Sequence, residues 1–429
     1  ATTDIYTLSL HDALPIYGCL IHMESGEGNP LIWQKQVVNG RIMVLNVGQY
    51  DRKELRGLLA GSISVLFDFF VYPVVGSQVV FIDDFPADYR STHEILRTNY
   101  GRDLQRYILE IWWPQMQVLM RRHNLKLTGT YIETYSDQVE GPFADNTATR
   151  VASMKLVSDL LAGGGEMSLH GYNHQPLFFS QTSMQPYNYK AWPNADQMVA
   201  ALQQSVAFFE QIYAGYVFYT YSAPSELLDT AALPALLAAV PSLQVISGTY
   251  YGNGTSAVGD QADLFIQEFG LDERYGVALP KVTSGAFLTD EVRFLMASVL
   301  TTDGLINHLV YPDEILDPYR SKSLLWEDLV DAYDQLFSDI DETYGWLLPE
   351  TAANAAARLE RTEQATLHVS QATDQITLAC DHFSGPITAM VTTDRVLAAG
   401  SGCTIKKIDS IRYLVSIQEP ISFLEVMQP

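Results

Sequence analysis

The 429-residue sequence predicts an α/β protein, a distorted (β/α) barrel followed by a small C-terminal all-β domain. Three observations carry this expectation. Between residues 78 and 345, short apolar β-rich runs alternate with helical stretches. After residue 364 the texture changes to short alternating strands with no helical period. The polar residues best suited to chemistry fall at the ends of the β-rich runs, where a barrel places its mouth.

In chain order, residues 1–16 (ATTDIYTLSLHDALPI) agree in all but Asp4 with one translated frame of a common sequencing adapter. They are set aside, His11 and Asp12 with them, and the native N-terminus is expected to be missing. "PLIWQKQVVNGRIMVLNV" (30–47) predicts two strands about an Asn39-Gly40 turn, the tail of a truncated N-terminal domain over 17–70. "GLLAGSISVLFDFFVYPVVGSQVVFI" (57–82) is long enough to span a bilayer. Asp68, Pro73 and Gly76 divide it, so a buried helix, turn and strand are expected and no membrane span.

The barrel is expected over 71–350. Its strands are read at "SQVVFIDD", "LTGTYIET", "EMSLH", "VFYTYSAP", "LQVISGTYY", "DLFIQEFG" and "INHLVYP". Helices intervene, among them "ATRVASMKLVSDLLAGGG", which stops on glycines, "NADQMVAALQQSVAFFEQIYAG", and stretches near 290–303 and 324–345. "ATLHVSQ", "QITLAC", "PITAMVTT", "CTIKKI" and "YLVSI" make 364–429 a β-sandwich-like unit.

The net charge of −24 leaves no basic stripe for phosphates, which argues against nucleic acid or an anionic membrane as partner. Hydrophobic content of 47% and mean hydropathy of +0.02 describe a chain able to bury a large core. Cys19, Cys380 and Cys403 form no CxxC pair. Cys380 and Cys403 are open to either reading, a disulfide in an oxidising compartment or two small core residues.

Three features carry chemistry. "VVFIDDFPAD" ends an apolar strand in Asp83-Asp84; one carboxylate can hold a metal while its neighbour takes a proton from water. The same pair serves equally to cap a helix or open a turn. "MSLHGYNHQP" sets His170 and His174 four residues apart, a spacing that suits two imidazoles on one metal, although Gly171 and Pro176 exclude a regular helix. "INHLVYPDEILD" puts His308 at a strand end near Asp313, and a lone histidine is more often structural than catalytic. Together, Asp, His and His suit Zn²⁺ with positions open for water and substrate. The second Asp supplies a general base and the distant His a general acid for amide or ester hydrolysis.

This order of motifs resembles the polysaccharide deacetylase superfamily, the NodB-type carbohydrate esterases, whose fold is a barrel of the glycoside hydrolase/deacetylase type. The resemblance rests on Asp83-Asp84-Phe85-Pro86, on His170-x-x-x-His174 and on a late-strand histidine. It implies Asp83 as catalytic base, Asp84, His170 and His174 as metal ligands, and His308 as the second catalytic group. The metal implied is Zn²⁺, with Co²⁺ or Ni²⁺ as alternatives. The wording "IDDFPAD", "LHGYNH", "YSAPS" and "NHLVYPDEILD" resembles more closely the deacetylase domains of Pel-type exopolysaccharide systems, often preceded by an amidotransferase-like domain. That implies an acetylated polysaccharide as partner, exopolysaccharide synthesis or export proteins beside it, and an extracytoplasmic location. The superfamily's third motif opens on an arginine that orients the base; here "TYSAPSE" puts Ser222 in that place. Tyr172, Pro224, Ser225 and Asp313 are further candidates for substrate or oxyanion contact. Two other functions stay open: a glycan-binding pseudoenzyme, and a glycoside hydrolase, to which adjacent Asp83 and Asp84 are poorly suited.

Overall fold

The computed structural model describes residues 18–38, 40–46, 48, 53–250, 266–302 and 304–427. The segment read as a translated adapter, 1–16, lies outside them, as does Asn39 of the expected turn. Leu20–Glu24 (β1), Pro30–Val37 (β2) and Gly40–Leu45 (β3) form an antiparallel meander. Helix Arg56–Leu66 leads to Phe69–Val74 (β4) and Ser77–Ile82 (β5), so the apolar 57–82 stretch is a helix and two strands. No helix among the described residues is long and apolar enough to cross a membrane.

The barrel strands are β5, Leu127–Ile132 (β6), Glu166–Gly171 (β7), Thr220–Ser222 (β8), Val245–Ser247 (β9), Gly270–Asp272 (β10), Gly276–Ala278 (β11), Thr283–Ser284 (β12) and Ile306–Val310 (β13), with Leu348–Pro349 (β14) beside β5. The sheet runs β10-β11-β9-β8-β7-β6-β5-β13-β12, parallel except for the β10–β11 hairpin. One stretch, 276–284, joins its two edges. Val277 pairs with Val245 of β9, the Lys281 N–H donates to Gly248, and the Val282 N–H then donates to Asn307 of β13. That stretch is absent from the strands read in the sequence, because Pro280 and Gly276 break its run. The strand expected at 263–270 lies partly outside the described residues; Ile266 makes an isolated bridge to Thr249, and pairing resumes at β10.

Apolar runs become central strands because both faces are covered. All six residues of β5 are buried. Val79, Phe81, Leu279, Leu305 and Leu309 fill the barrel, and Ala352, Ala355, Ala356 and Leu359 of helix Ala352–Gln364 close its floor. Val80, Ile82, Ile306 and Val310 face the surrounding helices, which include Ala195–Ile212, capped by Asn194, and Trp326–Thr343.

The all-β unit comprises Thr366–Gln371 (β15), Gln375–Asp381 (β16), Ile387–Thr393 (β17), Val396–Ala399 (β18), Cys403–Lys407 (β19), Arg412–Ile417 (β20) and Ile421–Met427 (β21). They form two sheets, β15-β16-β21-β18 and β19-β20-β17-β4. The fourth strand of the second sheet is β4, paired antiparallel with β17. Residues 69–74 therefore belong to this unit and not to the barrel, whose first strand begins at Ser77, later than the expected start at 71. Cys380 and Cys403 are buried in its core as free thiols.

Candidate metal centre

The site is built on the C-terminal ends of β5 and β7. At the end of β5 the Asp83 N–H donates to Val310, and the Phe85 N–H donates to Thr130 at 2.7 Å. Gly129 makes room for this crossing: a Cβ there would lie 2.9 Å from the Phe85 carbonyl oxygen. The Phe85 ring is fully buried, 4.8 Å from the Trp113 ring and 5.9 Å from Trp112. Between these anchors Asp84 takes φ = 45°, left-handed backbone that costs a non-glycine residue on the order of 1–3 kcal/mol. His174 does the same at φ = 57°. Strain of this kind persists only where the surroundings over-determine it, and here both residues present donors to one point.

A carboxylate oxygen of Asp84 and a ring nitrogen each of His170 and His174 lie within 4.8 Å of one another. His170 Nε2 is 3.3 Å from Asp84 Oδ1, and His174 Nε2 is 3.6 Å from it. Ligands about 2.0–2.1 Å from a tetrahedral zinc stand about 3.3 Å apart, so these separations fit such an ion. Asp84 Oδ1 and His170 Nε2 are buried and have no hydrogen-bond partner. Buried polar atoms are ordinarily paired, and a cation is the partner that both a carboxylate and an unprotonated imidazole nitrogen accept. The donor set therefore fits a divalent metal held by Asp84, His170 and His174.

The electrostatics agree. Burial holds the His170 imidazolium down to about 3, against the pull of Asp83, so the ring is neutral. Its Nδ1–H donates to the Ser222 carbonyl at 2.7 Å, which leaves the Nε2 lone pair facing Asp84. Burial raises the Asp84 carboxyl to about 7; His174 works against this and Asp83 adds to it. Tyr135 bonds the Asp84 carboxylate, and the Tyr89 hydroxyl donates to the Asp84 carbonyl. Asp83 Oδ1 stands 3.8 Å from His170 Nε2 with its side chain partly open to solvent.

A cavity of about 520 Å³ opens beside Asp84, lined by Asp88, Tyr89, His93, Tyr135 and Asp313 among others. Burial raises the Asp313 carboxyl, while Arg320, 3.2 Å away, counteracts it. His308 is elsewhere. Its ring lies among the helices at 6.3 Å from Phe337. Nδ1 accepts from Thr283 Oγ1 at 2.8 Å and Nε2 donates to the Gly285 carbonyl at 3.0 Å. The late-strand histidine is thus a fully bonded core residue, because its place on β13 turns it with Ile306 and Val310 away from the barrel interior. Tyr172 is also withdrawn: its hydroxyl donates to the Ala144 carbonyl and its ring packs on Phe143. Pro224 is buried beside β7, and Ser225 Oγ bonds Tyr189.

Residues missed in the sequence complete the mouth. Lys281, buried, donates to Ser222 Oγ at 2.6 Å and pairs with Glu226. A single lysine inside "VALPKVTSG" was a legible sign of a buried cation; Tyr189, 15 residues past His174, had no signature at all. Glu133, at the end of β6, is 1% exposed. It accepts from the Asn146 N–H through Oε1, while Oε2 has no partner. Burial raises its carboxyl to about 8. A folded value above the unfolded one means that the protonated form stabilises the fold, and that this contribution is lost as pH rises from about 4.5 to about 8. Its full span is on the order of 3–5 kcal/mol. Urea unfolding of Glu133→Gln is expected to show a smaller loss of stability between pH 5 and pH 9 than the unsubstituted chain; equal losses would refute the assignment.

Fold and site together define a (β/α) barrel with an Asp-His-His cluster at its C-terminal mouth whose geometry suits a metal ion. The chain belongs to the DUF2194 family, described as uncharacterised protein conserved in bacteria, whose sequence model matches residues 2–414. The matched span takes in residues 2–16. No curated protein matches the chain. Among solved structures it is similar to a protein from Mycobacterium smegmatis assigned as a polysaccharide deacetylase, at 13% identity and a TM-score of 0.40, over 67% of this chain and 92% of that one. It is also similar to the Xyl-CE4 domain of a multidomain xylanase from the hindgut metagenome of Trinervitermes trinervoides, at 10% identity and 0.34, over 66% and 90%. A third is a CE4 family pseudoenzyme from Bacillus anthracis, at 10% identity and 0.35, over 66% of each chain. With TM-scores below 0.5, none of these likenesses bears on the activity of this chain.

Proposed function

We propose that this protein is a metal-dependent deacetylase that removes N- or O-acetyl groups from a bacterial exopolysaccharide or cell-wall glycan. The observation that carries the reading is the meeting of Asp84, His170 and His174 around two buried, unpartnered donor atoms, with the Asp83 carboxylate beside them. Zn²⁺ suits the donor set best, Co²⁺ and Ni²⁺ next. When bound, the ion supplies Lewis acidity toward an acetyl carbonyl oxygen and acidifies water. The chain's own residues do the rest. Asp83, outside the triad, accepts the proton of the attacking water. Asp313, on the same cavity as Asp84, is the group available to return a proton to the departing amine or alcohol, since His308 is withdrawn. Tyr135, exposed on the same cavity, offers a ring face to a sugar. Such a substrate puts the protein outside the cytoplasm, near exopolysaccharide synthesis or export proteins.

The test is acetate release from N-acetylated and O-acetylated glycan oligomers by the zinc-loaded full chain, with Asp83→Asn and Asp313→Asn beside it. Release that falls by about 100-fold or more in Asp83→Asn supports the base assignment, general acid–base groups contributing about 10²–10⁴-fold. A metal-loaded chain that binds glycan and leaves every acetyl group in place favours the second reading, a glycan-binding pseudoenzyme. The observations behind that alternative are the buried, doubly bonded His308 and the serine at 222.

A further inference from the structure

Both imidazoles of the triad are held from behind by one five-residue turn. The Ser222 carbonyl accepts the Nδ1–H of His170 at 2.7 Å. Three residues on, Ser225 Oγ lies 2.5 Å from Tyr189 Oη, which in turn lies 3.2 Å from His174 Nδ1. The turn is strained: Ser225 and Glu226 stand consecutively at φ = 49° and 60°, although neither is glycine. It is also pinned. Lys281 Nζ donates to Ser222 Oγ at its start and pairs with Glu226 at its end. The Glu226 N–H donates to Ala223 and the Leu227 N–H to Pro224, both at 3.0 Å.

We propose that the turn Ser222–Glu226, pinned by Lys281, is the orienting element of the metal centre, acting on His170 through the Ser222 carbonyl and on His174 through a relay of His174 Nδ1–H to Tyr189 Oη–H to Ser225 Oγ. Tyr189 and Ser225 are positioning residues for His174, as the Ser222 carbonyl is for His170: each ring is fixed as the Nδ1–H tautomer with Nε2 toward Asp84. A ligating histidine whose other nitrogen loses its partner ordinarily costs 10–100-fold in metal affinity. The stretch that lacks the expected arginine is thus given to aiming the ligands. The inference rests on the metal reading above.

The experiment titrates the full chain with Zn²⁺ against a competing chelator, and with Co²⁺ followed by its visible spectrum, for the unsubstituted protein, Tyr189→Phe, Ser225→Ala and the double variant. Thermal unfolding accompanies each. Tyr189→Phe is expected to raise the Zn²⁺ Kd about 10-fold and to alter the Co²⁺ spectrum with the fold intact. The double variant is expected to bind no more weakly than Tyr189→Phe alone, because a relay is broken once. Kd values within twofold of the unsubstituted chain overturn the proposal, as do effects that add in the double variant. If Tyr189→Phe fails to fold, Ser225→Ala decides by the same twofold threshold. An unsubstituted chain that binds neither ion overturns the metal reading and this inference with it.

Discussion

His170→Ala is expected to abolish stoichiometric metal binding, lowering affinity by at least about 100-fold, more than the loss of a supporting partner costs. The ring is 1% exposed and is anchored at Nδ1, so its removal takes away a buried ligand atom already aimed at Asp84. His308→Ala is the contrasting variant. It removes a buried ring bonded to Thr283 and Gly285 and is expected to cost stability while leaving one ion per chain. Elemental mass spectrometry of both proteins, each checked by thermal unfolding, separates the two roles. A His170→Ala chain that keeps its ion while His308→Ala loses it would reverse the assignment. The same measurement across pH has a set direction. The Asp84 carboxyl stands at about 7 in the metal-free chain and must be ionised to ligate, whereas His170 stays neutral down to about 3. Metal affinity is therefore expected to fall as the pH drops below about 7, because protons compete with the ion for its ligands.

Phe85→Ala is expected to lower unfolding stability by about 3–5 kcal/mol, the usual cost of emptying a fully buried aromatic position. The effect reaches beyond the cavity it leaves. Phe85 follows Asp84 directly, and its ring is wedged against Trp113 and Trp112 while its N–H holds β6. Without that wedge, the left-handed conformation of Asp84 loses one of the contacts that enforce it. Metal affinity is expected to weaken along with stability. Phe85→Leu, which fills more of the space, is expected to cost less on both counts. Urea denaturation and chelator competition measure the two quantities; a loss below about 1 kcal/mol would show that the site does not depend on this anchor.

The alternation of strands and helices was legible because parallel strands covered on both faces read as continuous apolar runs, as β5 and β13 do. Asp83-Asp84 and His170-x-x-x-His174 were legible as candidates because barrel chemistry collects where such runs end in polar residues. Cys380 and Cys403 kept both of their readings in the sequence; burial in one core as free thiols answers the question here. The same doubly covered strands hide which way a residue points. His308 sits between Asn307 and Leu309, which share the barrel side, and Ile306 and Val310, which share the helix side, and all five are buried. A one-residue difference in parity separates a mouth residue from a core residue, and no periodicity in INHLV tells them apart.

Distance along the chain hid the rest. β4 lies next to β5 in sequence yet pairs with β17, more than three hundred residues away, because its edge is needed by the all-β sheet. Lys281 has no sequence link to Ser222 and Glu226, and it meets them because the 276–284 stretch closes the barrel beside β9. The layers and the residue types able to hold a metal follow from local pattern and composition. Which donors converge, and what aims them, was decided by long-range pairing, which local periodicity does not encode.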